Sequence, residues 1–328
     1  MFMIRIFVQK KFWVGIGITI IALYLSLMDV EWIAFLNALS RVRYGYVIPT
    51  LLLVAVSYWF RAYRWSVLLT LIKSIPMRSV AATTMVGFMI NNILPARLGE
   101  LYRAYAIGKK EHISKTASFA TIVVERVFDV FTLLLFLAFV ARGSVLPEWA
   151  NQTSWLIFLG TLALFAVLIS MVYVPRAYFK IYDTCALILP IRVREKLRGM
   201  LSAFMEGLAM LKNMRTVIWV AILSLLVWSP MAAMNYFVLY AFSYDVPILA
   251  GFAVLVITAI GVMIPSAPGY VGTFQLFTIF ALSPYGISKS EALGVSLVLH
   301  TVEYLPVTLA GLWYFAKQHL NLRTLYIR

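Results

Sequence analysis

The sequence predicts an all-α integral membrane protein with about six full transmembrane crossings and two re-entrant helical hairpins in an inverted-repeat arrangement. Three observations predict it. Hydrophobic residues make up 63% of the 328 and charged residues only 12%, which is not the balance of a soluble domain. Apolar runs of crossing length recur along the chain, and a helix needs about 20 such residues to span a hydrocarbon core ~30 Å thick. Two shorter runs, one breaking at Pro95 and Gly99 and the other at Pro265, Pro268, Gly269 and Gly272, stand at matching places in two halves. Lipid tolerates non-helical backbone only where it is buried in protein or lines a wet cavity, so paired breaks of this kind point to a transport site.

The first run, residues 12–28, follows Arg5, Lys10 and Lys11 in the manner of a signal peptide. No small-residue cleavage pattern follows it, so it reads as a first helix. Residues 44–69 form the second crossing. Residues 80–94 are too short to cross and resume after the break as 98–107, a hairpin over about 80–108. Residues 116–141, 154–174 and 216–242 are full crossings. Residues 251–264 and 270–282 make the second hairpin, over about 249–283, and 292–316 is the last crossing. The whole chain is one membrane domain, its first half at about 44–141 and its second at about 216–316.

Lys and Arg concentrate at the amino end, in 73–115, in 176–215 and in the tail, whereas 29–43, 142–153 and 243–247 are poorer in excess positive charge. The positive-inside rule puts the basic segments and both termini in the cytoplasm. The first hairpin then enters from inside and the second from outside, so the halves are inverted. Between them, in the segment at about 177–213, Val193, Leu197, Met200, Phe204, Leu208 and Leu211 recur at helical spacing among Arg192, Arg194, Lys196 and Arg198. This amphipathic helix either lies on the inner leaflet or packs against the cytoplasmic ends of the bundle. The formal charge of +15 suits an anionic membrane surface, and its distribution along the topology leaves no compact patch for nucleic acid.

Ionisable residues inside a membrane are functional candidates. Glu125 and Asp129 share a helix face with Arg126 between them and need an arginine, a cation or a proton to coexist. Asn92, Arg97, Glu100 and Arg103 surround the first break, where a helix amino end and arginine together suit phosphate. The second break is uncharged and offers backbone dipoles, Ser266, Thr273 and Gln275. Glu303 shares a face with His300, which makes the pair either a proton relay or a carboxylate beside a packing histidine. Arg61 and Arg64 either snorkel to inner headgroups or enter the cavity, and Tyr58, Trp59, Tyr63 and Trp65 fit an interfacial belt. The single Cys185 forms no intramolecular disulfide and no metal site, and no cofactor fingerprint, nucleotide loop or nucleophile elbow occurs.

The ordered set Asn92-x-x-Pro95-x-Arg97-x-Gly99-Glu100, Glu125-Arg126-x-x-Asp129, Pro265-x-x-Pro268-Gly269-x-x-Gly272 and Glu303 resembles the flippase-like membrane domain of the lysylphosphatidylglycerol synthase family over residues 47–315. The resemblance implies movement of a lipid between the leaflets of a prokaryotic cell membrane. It implies cavity roles for Arg97, Glu100, Glu125, Arg126, Asp129 and Glu303, and gate roles for Pro265, Pro268, Gly269 and Gly272. The aminoacyltransferase half of two-domain members is absent from this sequence, so aminoacylated lipid is not its expected product. Stand-alone relatives are linked with glycolipid precursors, polyprenyl-linked sugars and hopanoids. The expected cargo is therefore an anionic phospholipid or a polyprenyl-phosphate-linked lipid. Two rival readings remain: an intramembrane transferase or hydrolase using Glu100 or Glu125 as base, and a docking subunit for a separate glycosyltransferase or synthase.

Overall fold

A computed structural model describes residues 10–94, 97–143 and 148–317. Helices make up its regular structure: α1 (Lys10–Leu27), α2 (Trp32–Ser40), α3 (Val47–Leu69), α4 (Met77–Ile93), α5 (Leu98–Glu111), α6 (Lys115–Gly143), α7 (Glu148–Tyr173), α8 (Pro175–Cys185), α9 (Ile191–Gly207), α10 (Met214–Ala241), α11 (Leu249–Gly261), α12 (Thr273–Leu282) and α13 (Lys289–Lys317). Four stretches are each long and apolar enough to cross a bilayer, Tyr44–Leu69, Trp155–Tyr173, Met214–Ala241 and Lys289–Lys317. The 29 residues of α6 have the length but carry Glu125, Arg126 and Asp129. α1 meets the test only together with α2, from which it is bent by 86°.

Local chemistry explains the boundaries. Leu94 is extended, as a residue before proline must be, and so ends α4. Ser114 Oγ accepts the Ala117 amide at the start of α6, and Asn213 Oδ1 accepts that of Thr216 in α10. At α13 Ser288 and Glu291 exchange hydrogen bonds as a capping box, Ser288 N to Glu291 Oε2 at 3.2 Å and Glu291 N to Ser288 Oγ at 3.4 Å. Residues 29–43, expected to be a plain connection, hold α2, which is tied to α13 by the Glu31 amide donating to Ser290 Oγ and Lys289 Nζ donating to the Met28 carbonyl. The segment at 177–213 is two helices, α8 and α9, joined by an Arg198 to Asp183 ion pair. Its end packs against the bundle. Val193, Leu197 and Met200 are exposed, whereas Leu208 and Leu211 are buried, where the end of α9 presses on Ala117 and Ala120 of α6.

The two halves are inverted relative to one another. α3 and α10 run antiparallel: Arg43 N donates to the Ala241 carbonyl, Ser57 Oγ to that of Val227 and Arg64 Nη1 to Ser224 Oγ. Packing is reciprocal. α4 lies on α13, which closes the second half, and α11 lies on α6, which closes the first. Within the first hairpin α4 and α5 pair antiparallel, with Ser79 donating to Glu111 at the base and the Gly99 amide donating to Asn91 Oδ1 near the tip. A Cβ on Gly99 would lie 1.8 Å from the Gly87 carbonyl oxygen, so only glycine permits this approach. The second hairpin, α11 and α12, turns through Pro268–Tyr270 and starts α12 after Gly272, whose φ of 86° is in the left-handed region.

Among the described residues two large apolar cores result, with a smaller cluster of Val86, Met89 and Ile90 on α4. One gathers Val54, Tyr58, Phe136, Leu137 and Met231 with α11, α12 and α13. The other gathers Trp65, Leu68, Ile122, Phe128 and Val220 with the ends of α5 and α9. The boundary between the two large cores falls at Arg61 and Arg64 on α3, near Asp129 on α6 and around the uncharged Ser224 on α10.

Candidate functional site

The boundary layer is an ion network assembled from four helices. Arg64 of α3, with no exposed surface, donates to Asp129 Oδ1 at 2.7 Å, to Ser224 Oγ at 2.7 Å and to Glu125 Oε1 at 3.3 Å. Arg103 of α5 donates to Glu125 Oε2 at 2.9 Å and lies 4.1 Å from the centre of the Trp65 ring. Trp228 of α10 donates its indole N–H to Asp129. Arg126 spans Asp129 at 3.2 Å, Glu100 at 3.6 Å and Glu125 at 3.8 Å. An ion this deep is tolerated only when it is paired and hydrogen-bonded, because its desolvation costs several kcal/mol. Three arginines, Arg64, Arg103 and Arg126, meet three carboxylates, Glu100, Glu125 and Asp129, so the network is neutral as a set.

Beside the network lies a cavity of about 300 Å³ between the two hairpin tips. Its polar wall includes Arg61, Asn92, Arg97, Glu100, Arg126, Asp129 and Glu303; its apolar wall includes Leu133, Leu134 and Leu137 of α6, Ile157 of α7 and Val256 and Ile260 of α11. Arg97 precedes α5 in a left-handed conformation and donates a long hydrogen bond, 3.4 Å, to the carbonyl of Val262, just past the end of α11, bringing the tips together. Glu100 pairs with Arg126, not with Arg97. Asn92 donates to Thr308 Oγ1 at 2.9 Å, and Tyr304 donates to the Asn92 carbonyl at 3.1 Å, which fastens the broken end of α4 to α13.

The structure places the expected residues in three groups. Asn92, Arg97, Glu100, Arg126, Asp129 and Glu303 line the cavity. Glu125 and Arg103 stand behind its wall, each 1% exposed, and support it as counter-ions. Of the hairpin positions, Pro95 lies outside the described residues, Gly99 makes the close approach to Gly87, and Gly269 with Gly272 shapes the second turn. Pro265 is exposed, Pro268 opens that turn, and Ser266 and Thr273 bond each other across it at 3.1 Å.

Two readings of α3 need correction. Arg61 and Arg64 do not snorkel: both are buried, Arg64 in the network and Arg61 among Trp228, Tyr58 and Phe88 at 4.4, 5.4 and 5.5 Å. Helices α6 and α10 pack over this end of α3, which puts it in the interior. Tyr58 and Trp65 are likewise core residues and only Trp59 is widely exposed, with Tyr63 stacked on it. His300 lies 3.1 Å from Gln275 and stacks on Phe274. Trp228 and Ser224 carry no charge and gave no signal in the sequence. Among the described residues, no group of three or more His, Cys, Asp and Glu is placed to hold a metal.

Residues 12–311 match the family described as the lysylphosphatidylglycerol synthase TM region. A UPF0104 membrane protein of Methanocaldococcus jannaschii is 27% identical over 76% of this chain and 77% of its own length. Another, from Methanothermobacter thermautotrophicus, is 23% identical over 84% and 86%. The glycosyltransferase AglD of Haloferax volcanii is 21% identical over 94% of this chain but only 55% of its own length.

Proposed function

Since the chain belongs to the family of the lysylphosphatidylglycerol synthase transmembrane region, we propose that it is a lipid translocase. In this reading the two hairpins re-enter the membrane from opposite faces and hold a charged headgroup between their tips while the acyl or prenyl tails stay in lipid. The observation that carries the reading is the two-sided cavity: Arg61, Arg97 and Glu303 face aliphatic side chains of α6, α7 and α11 across about 300 Å³. A headgroup needs the first wall and the root of its tails needs the second. The end bearing Lys73, Arg78, Lys109, Lys110 and Lys115 faces the cytoplasm of a prokaryotic cell, with both termini on that side. Rocking of one half against the other, about the antiparallel α3 and α10, would open each hairpin in turn.

The test is leaflet exchange in liposomes holding the purified chain and headgroup-labelled lipids. Exchange of chemically unaltered lipid, lost in Arg61→Gln and Arg97→Ala, is the expected result. A chemically altered lipid would replace translocation by an intramembrane transferase or hydrolase. A second reading has support in the relative AglD, which extends well beyond the matched part and is named a glycosyltransferase. In it the chain serves a separate enzyme of that kind, and exchange would begin only when the enzyme is added.

A further inference from the structure

Subtracting the balanced network from the site leaves three charges on the cavity wall, Arg61, Arg97 and Glu303. Arg61 is 5% exposed, has no ion pair or hydrogen bond, and its Nε is buried without a partner. Rings of Trp228, Tyr58 and Phe88 surround its guanidinium, and such packing fixes the group while leaving its N–H edge for a ligand. Arg97 spends one donor on a carbonyl. Glu303 has no ion pair and no hydrogen bond, although it lines the same cavity. Two cations and one carboxylate leave an excess of one positive charge. Arg61 is buried and Glu303 half-buried while Arg97 is exposed, and the excess of one positive charge on the wall as a whole favours a ligand carrying one negative charge.

We propose that the cavity takes a single phosphodiester bearing a neutral, hydroxylated substituent of glycerol or monosaccharide size, with Arg61 and Arg97 on the phosphate and Glu303 accepting from a hydroxyl. The assignment rests on the translocase reading only in treating the cavity as a headgroup site. The volume, about 300 Å³, is at the small end of ligand pockets and holds a phosphate and one such unit. A phosphomonoester carries a second negative charge that the three wall charges leave unbalanced. An ammonium group on Glu303 would sit in the field of Arg61 and Arg97 and restore the positive excess. Phosphatidylglycerol and a polyprenyl phosphohexose share the required chemistry.

Both are used as probes, with phosphatidylmethanol, phosphatidylethanolamine, lysyl-phosphatidylglycerol and phosphatidate, in equilibrium binding to the full chain in detergent, followed by thermal shift and native mass spectrometry. The two hydroxylated monoanions should bind, and whichever binds more tightly identifies the source. Phosphatidylmethanol, which lacks the hydroxyl, and the two amine lipids should bind at least ~10-fold more weakly. Arg61→Gln should weaken the monoanions ~10- to 100-fold, the range for a charge-assisted hydrogen bond. Arg97→Gln, at the exposed tip, should do the same to a smaller degree and covers the case in which Arg61→Gln fails to fold. Glu303→Gln should erase the preference for phosphatidylglycerol over phosphatidylmethanol. Tighter binding of an amine lipid that Glu303→Gln abolishes, or equal binding of all probes, overturns the assignment. Selective binding without leaflet exchange overturns the translocase reading and leaves the headgroup assignment standing.

Discussion

The two hairpins have the same construction and opposite chemistry. Each is a pair of short helices broken at proline and glycine, packed on the closing helix of the other half. The first sends Glu100 and Arg103 into an ion network and ends in Arg97. The second is uncharged at its tip, where Ser266 and Thr273 bond each other and Gln275 accepts the Gly272 amide. What holds the second tip comes from elsewhere: the Ala267 amide donates to Thr19 Oγ1 of α1, and the Gly272 turn rests on the same helix. An inverted pair can thus divide its labour, one hairpin supplying charge to the cavity and the other a neutral, strapped wall against which the cavity closes.

The largest break in that contrast should come from Glu125→Gln. It leaves Arg64 and Arg103, both buried, short of a counter-ion, and removal of one partner from a buried pair costs about 3–5 kcal/mol, a large part of a typical domain's stability. Unfolding in mixed detergent should show the loss, and adding Arg103→Gln should recover part of it, because the two substitutions share one interaction. Thr273→Val at the second hairpin, which removes only neutral hydrogen bonds to Tyr270 and Ser266, should cost about 1 kcal/mol. Equal losses from Glu125→Gln, which strips the first hairpin's Arg103 of its partner, and from Thr273→Val would refute the division.

Next in size are the two glycines. Gly99→Ala drives a Cβ against the Gly87 carbonyl, a backbone atom with nowhere to go, so α4 and α5 must separate at a cost of about 1–3 kcal/mol or more. Gly272→Ala meets the Thr19 carbonyl at 2.9 Å and a φ of 86°, a strain of about 1–3 kcal/mol. Both should lower the melting temperature. Only Gly99→Ala should also disturb the Arg103 to Glu125 pair, readable as a change in Trp65 fluorescence against a background in which the other tryptophans are replaced.

The breaks themselves were legible because proline and glycine act locally: Leu94 is extended for the reason that Pro95 follows it. Glu125 and Asp129 announced a shared face by their spacing, and the arginine they required is Arg64 together with Arg126. That Arg64 would be the one was not legible. Its place late in an apolar run is the place of a snorkelling residue, and only the packing of α6 and α10 over α3 makes it interior. Trp228 reaches Asp129 through a neutral indole, which no charge count reveals. α2 escaped notice because nine residues between Glu31 and Arg41 look like a connection until the 86° bend folds them back onto α13.

The smallest expected effect probes the strap. Thr19 lies on α1, outside both repeated halves, yet its hydroxyl oxygen accepts the Ala267 amide at 2.8 Å next to the bend of the second hairpin. Thr19→Val keeps the side chain's shape and removes the acceptor, so the fold should lose only about 1 kcal/mol. The consequence is local. Ala267 N–H loses its partner, and its hydrogen exchange should speed up about fivefold for a change of that size, while the amide of Gly99, held by Asn91 Oδ1 in the other hairpin, should exchange as before. If α1 is a strap for the gate, lipid exchange in liposomes should change in rate with selectivity among headgroups intact, since no group of the polar wall has moved. Faster exchange at both tips would mean instead that the hairpins yield as one unit through the Arg97 to Val262 contact, and the neutral wall would then be no firmer than the charged one.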